Sequence, residues 1–173
     1  MPSASRSAVA HASAADVWTR LADLPSWPRL LHLQYADESV TFVDPTVGVR
    51  FQPDLAQGGV GAHPEASRGA EFVMKGRLSY RLFARVTDWQ PERRLEFEIQ
   101  RSEYPSDRLT FGRAVIAITL EPLDGNRTRV TCEHTLWGRG PAGRAYAATV
   151  MRPFLKSNVQ RIVDGLCHQA SAS

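Results

Sequence analysis

No stretch of this chain reaches the run of about eighteen apolar residues that a membrane-crossing helix requires. The N-terminal string MPSASRSAVAHASAAD also lacks the continuous apolar segment with basic flanks that marks an export signal. A soluble, cytoplasmic protein with no membrane insertion is therefore expected. Cysteine is scarce, occurring only at Cys132 and Cys167. Two thiols cannot build a disulfide framework and do not by themselves supply a zinc site, so both read as small buried hydrophobes, and neither a metal nor another cofactor is expected. Lysine is nearly absent: of 21 basic residues only Lys75 and Lys156 are lysines. The arginines behind the net charge of +3 are spread along the chain. That pattern reflects the base composition of a bacterial genome more than a nucleic-acid footprint, which would need a basic cluster interleaved with aromatics, so no nucleic-acid partner is expected. Catalytic signatures are missing too. There is no G-x-S-x-G, no H-E-x-x-H and no clustered acidic pair, which leaves hydrolase and metalloenzyme readings without support. The glycines of QGGVGAHPEASRG do not sit between a strand and a helix, so the segment from Gly58 to Gly69 reads as a flexible loop and not as a phosphate cradle.

What is present is an order of elements. At 173 residues and 43% hydrophobic content, the chain suits one domain over residues 1–173 with a sizeable core. A short strand is expected from Arg6 to Ala12. Ser13 then reads as an N-cap with Asp16 three residues on, and Val17, Leu21 and Leu24 follow at helical spacing until Pro25 and Pro28 stop the helix. Trp27, Leu30 and Leu31 suggest a second short helix. Strands are expected from Leu33 to Asp44 and from Val47 to Gln52. The second half alternates more cleanly. Leu78, Tyr80, Leu82, Ala84 and Val86 form one half-buried face, broken on its polar side by Phe83. Leu95, Phe97 and Ile99 form another, as do Ala114, Ile116, Ile118 and Leu120, and then Val130, Cys132, His134 and Leu136. The turn at Asp124 to Asn126 carries a hairpin signature.

Beyond Gly138, Gly140, Pro141 and Gly143 the chain turns helical, and Pro153 demands either a kink or a new start. After it, Phe154, Leu155, Val159, Ile162, Val163 and Leu166 make an apolar stripe interrupted by Asn158. Such a helix can bury its stripe only against an antiparallel sheet, and the space between becomes a pocket. Phe51, Met74, Tyr80 and Phe154 fall on the inward phase as walls. If the later strands form a meander, Tyr80, Arg101, Thr110 and His134 gather at one end of the sheet as a polar rim that Asn158 faces.

The string ASAADVWTRLADLPSWPRL, with Ala14, Val17, Trp18, Leu21, Asp23, Trp27 and Pro28, resembles the opening of the SRPBCC superfamily, which joins START lipid-transfer domains, polyketide cyclases and dehydrases, and the birch pollen allergen. VTDWQPERRLEFEI, with Val86, Trp89, Pro91, Arg94 and Leu95, is similar to its strand-turn-strand, and FLKSNVQRIVDGL to its C-terminal helix. The resemblance runs from about Ser7 to Leu166. It implies an α+β helix-grip fold: a seven-stranded antiparallel sheet wrapped around a long C-terminal helix, with two short helices near the N-terminus. It also implies a cavity for a small hydrophobic ligand, a lipid, polyketide or aromatic metabolite, in a monomer or homodimer. The alternative is a polyketide cyclase or dehydratase, for which Arg101 is the candidate enolate stabiliser and His134 or Tyr80 the proton-transfer group.

Overall fold

A computed structural model describes residues 1–23, 39–43, 50–51, 68–69, 71–75, 81–105 and 107–170. It is α+β. In chain order the elements are β1 Ser3–Ala10, α1 Ala14–Ala22, β2 Ser39–Val43, β3 Arg50–Phe51, β4 Glu71–Lys75, β5 Arg81–Gln90, β6 Arg94–Ser102, α2 Asp107–Thr110, β7 Phe111–Leu123, β8 Arg127–Gly138, α3 Gly140–Thr149 and α4 Met151–Ala170. The strands form one sheet in the order β1-β8-β7-β6-β5-β4-β2-β3, with antiparallel neighbours throughout.

The sheet has eight strands where seven were expected. The strand that periodicity missed is β4, whose core is three consecutive apolar residues, Phe72, Val73 and Met74, with no alternation to read. The expected second N-terminal helix, at Trp27 to Leu31, lies outside the described residues. Among those residues, no helix is long and apolar enough to cross a membrane.

Local chemistry explains most boundaries. Ser13 accepts a hydrogen bond from the Asp16 backbone N–H, and the Asp16 carboxylate accepts one from the Ser13 N–H, so a full capping box starts α1. In the β7–β8 turn, Gly125 at φ 72° and Asn126 at φ 55° occupy the left-handed region that these two residue types tolerate best. At Pro153 a new start replaces the kink. α3 ends at Thr149, α4 begins at Met151, and the proline falls in the first turn, where no intrahelical donor is needed.

α4 buries Leu155, Val159, Ile162, Val163 and Leu166, and it lies on β1 and β8, the edge and second strands of the sheet. α1 closes the same core from the N-terminal side, where Trp18 meets Trp89 of β5 edge to face at 4.8 Å. α3 folds back on the end of β8. The approach is so close that a Cβ on Gly138 would strike the Gly143 backbone, and one on Gly143 would strike the Thr110 carbonyl, which accounts for glycine at both positions.

Candidate functional site

The inner face of β8 presents Val130, Cys132, His134 and Leu136 toward α4, because alternation sends every second side chain to the same side. His134 pairs with Ile116 of β7 on one flank and with Ala4 of β1 on the other, in mid-strand and away from any loop. It is 3% exposed. Above it, α4 places Asn158 one position ahead of Val159 on the stripe. Its Nδ2 lies 3.0 Å from His134 Nδ1. This polar pair joins the helix to the sheet within the buried, largely apolar interface, while the exposed Arg6–Asp164 ion pair at 3.0 Å ties the same helix to β1 at the margin. Desolvation pushes the His134 pKa down to about 4, so the ring is neutral at physiological pH. Cys132, two residues earlier on the same face, has its thiol pushed up to about 12 by burial and stays protonated.

The far half of the inner face is built differently. Phe72 of β4 and Phe97 of β6 are buried against each other at 5.4 Å, ring edge to face. Next to them Met74 pairs with Leu82 across β4 and β5. Both residues are inward in phase, and both are only half-buried. Leu82 was expected on the inner face but not as part of the site. It sits opposite Met74, the expected wall.

Other expected positions fall elsewhere. Arg101 is on the outer face. Ala84 pairs with Ile99 while Phe83 pairs with Arg101, so Gln100 is an extra residue in a β-bulge that flips the rest of β6. The Arg101 guanidinium stacks 3.8 Å from the centre of the Phe83 ring, its side chain is 64% exposed, and Glu103 lies 3.8 Å away. The clue in the sequence was Phe83 itself, an aromatic on the polar side of β5. Thr110 closes α2 beyond the end of β8, where its carbonyl accepts from the Arg139 N–H at 2.8 Å and braces α3. That position lies several residues along β8 from His134, so the two do not share a rim.

Phe154 is 54% exposed and not buried as expected. The buried stripe runs through Leu155, and Phe154 lies one step round the helix, on the margin it shares with Asn158 four residues on. Phe51 belongs to β3, pairing with Phe42, but its side chain is outside the described residues, as is all of Tyr80. Of the expected polar rim, His134 and Asn158 meet, and among the described residues they are the two that do.

A family model described as polyketide cyclase / dehydrase and lipid transport matches residues 1–169. The chain belongs to that family. Three solved structures carry the same fold at low identity. The Zhui aromatase/cyclase from a Streptomyces species is 13% identical, with 98% of this chain and 93% of that one covered and a TM-score of 0.63. A Thermus thermophilus protein is 16% identical over 99% and 98% of the two chains, with a TM-score of 0.63. A START superfamily protein from Mycobacterium smegmatis is 11% identical over 96% and 97%, with a TM-score of 0.57. No curated protein matches the chain. For this polyketide cyclase / dehydrase and lipid transport family member, the likeness fits the SRPBCC resemblance of its N- and C-terminal strings.

Proposed function

We propose that the protein binds a small hydrophobic molecule, a lipid, polyketide or aromatic metabolite, between α4 and the inner face of the sheet. The observation that carries this reading is the His134–Asn158 pair set in a largely apolar interface, on the same inner face whose far half carries the half-buried Met74 and Leu82. Apolar walls with one or two placed polar groups are the usual composition of small-molecule sites. Family membership supports the same reading. The test is titration with a hydrophobic fluorescent probe, together with native mass spectrometry of protein purified from its own host. Saturable one-to-one binding, with a co-purifying apolar mass, is expected. Non-saturable fluorescence and a bare protein mass would end the reading.

The second reading is a polyketide cyclase or dehydratase, favoured by the family and by the fold shared with an aromatase/cyclase. Arg101 does not serve it from the outer face. The role of stabilising a developing enolate oxygen then falls to His134, as a neutral hydrogen-bond donor. A reactive poly-β-ketone mimic offered to the wild type and to His134→Phe separates the two readings. Identical products at identical rates with and without protein would discard catalysis.

A further inference from the structure

Two polar side chains are buried among the described residues, Thr128 and His134. Thr128 donates its hydroxyl to the Ala12 carbonyl at 2.8 Å and clips β8 to the segment before α1. His134 is only half satisfied. Its Nδ1 meets Asn158 Nδ2, while Nε2 has no partner among the described residues. An amide nitrogen can only donate, so Nδ1 accepts, and the one proton of the neutral imidazole resides on Nε2. The ring is therefore oriented through one nitrogen and carries a buried N–H on the other, with no acceptor for it among the described residues.

We infer that Asn158 locks His134 in its Nε2–H tautomer, and that the site thereby selects an apolar ligand carrying an uncharged carbonyl oxygen. This rests on the binding function proposed above. A carbonyl offers the acceptor that Nε2–H requires and brings no hydrogen of its own to satisfy. A plain hydrocarbon leaves the N–H dry. A carboxylate would lose its hydration against a neutral ring, with no charged side chain buried among the described residues to compensate. Burial reinforces the lock, since a ring that protonates only near pH 4 keeps a single donor through the physiological range. Asn158 acts here as a positioning residue, through His134.

The test uses acetylnaphthalene, ethylnaphthalene and naphthoic acid as probes, with nitrogen–proton correlation spectra of the imidazole as an independent readout. In the wild type the spectra should show Nε2 protonated and Nδ1 bare. The ratio of ketone to hydrocarbon affinity should fall by about three- to tenfold in His134→Phe, the worth of one net hydrogen bond, while ethylnaphthalene still binds. Naphthoic acid should bind worst. Should His134→Phe fail to fold, Asn158→Asp keeps the ring. Its carboxylate accepts from Nδ1–H, so at a pH where the spectra show the ring neutral, Nε2 presents a lone pair and the ketone preference should fall to a similar degree. A wild-type ring protonated on Nδ1 overturns the lock. An unchanged ketone preference in His134→Phe overturns the ligand class and leaves hydrophobic binding intact. Failure of all three probes to bind the wild type overturns the binding function itself, and this inference with it.

Discussion

Where α4 lies on β1 and β8, the inward residues are closed off: Val130, Cys132, Leu155, Val163 and Leu166 are all fully buried, and the buried His134 among them has a helix residue as its partner. On the far half, across β4 and β5, Met74 faces Leu82 with both left half-buried. The same sheet, with the same alternation, thus supports a dense seat at one side and an incompletely covered apolar face at the other. Coverage follows from where α4 comes to rest, not from a change in strand composition. A helix packs its stripe onto a neighbouring pair of strands, and a twisted sheet of eight strands is wider than one helix. The dense side accounts for stability, and the half-buried side is where side chains have room to change.

The sharpest way to break this contrast is to charge the seat. Ile162→Asp places an unpaired carboxylate at a position 3% exposed, and the cost is expected to exceed about 4 kcal/mol, enough to unfold the domain. A thermal melt monitored by circular dichroism checks it, and an unchanged midpoint would mean that α4 is not seated there.

Next in size is acid sensitivity from the seat's own histidine. The folded value of His134, about 4, lies below the ordinary value of 6.5. Above pH 6.5 both states are neutral. As pH falls from 6.5 toward 4, the unfolded chain takes up a proton that the folded one refuses, so stability is lost over that window and no further loss arises below it. At about 1.4 kcal/mol per unit, the interval corresponds to about 3 kcal/mol. Urea midpoints across that range should slope in the wild type and flatten in His134→Gln. Equal slopes would remove His134 as the source.

The open side should tolerate what the seat does not. Leu82→Ala is expected to cost about 1 kcal/mol, against about 2–5 kcal/mol for Leu155→Ala, because a half-covered side chain leaves no closed cavity behind. It should also change probe affinity, whereas equal costs for the two variants would erase the distinction between the halves. Smallest of all is Arg101→Met on the outer face, which should stay within about 0.5 kcal/mol in stability and leave any turnover of a poly-β-ketone mimic unchanged. A large loss of turnover would return Arg101 to the site.

Much of the architecture was legible from local signals. The Ser13–Asp16 box, the Gly125–Asn126 turn and the alternating faces of β5 to β8 each depend on residues within a few positions of one another. β4 was not legible, since five residues with a continuous apolar centre carry no period. For the candidate site, the inward phase of His134 followed from alternation along β8. The outward turn of Arg101 could not, because the same period-2 count that places Ile99 inside also places Arg101 inside.

By itself, then, the sequence determined most of the strands and the flanking helices, which face of each is apolar, and that Pro153 must either kink the last helix or restart it. Only the tertiary structure decided the rest: that Gln100 bulges against β5 and turns Arg101 out onto Phe83, that α4 rotates Leu155 inward and leaves Phe154 at the margin, and that Asn158 descends on His134 across 24 residues of chain. The physical reason is common to all three. Alternation and helical period are properties of one segment, whereas a register slip, a helix rotation and a hydrogen bond between distant side chains are set by the partner surface. The free energy that chooses among them exists only once both surfaces are in place.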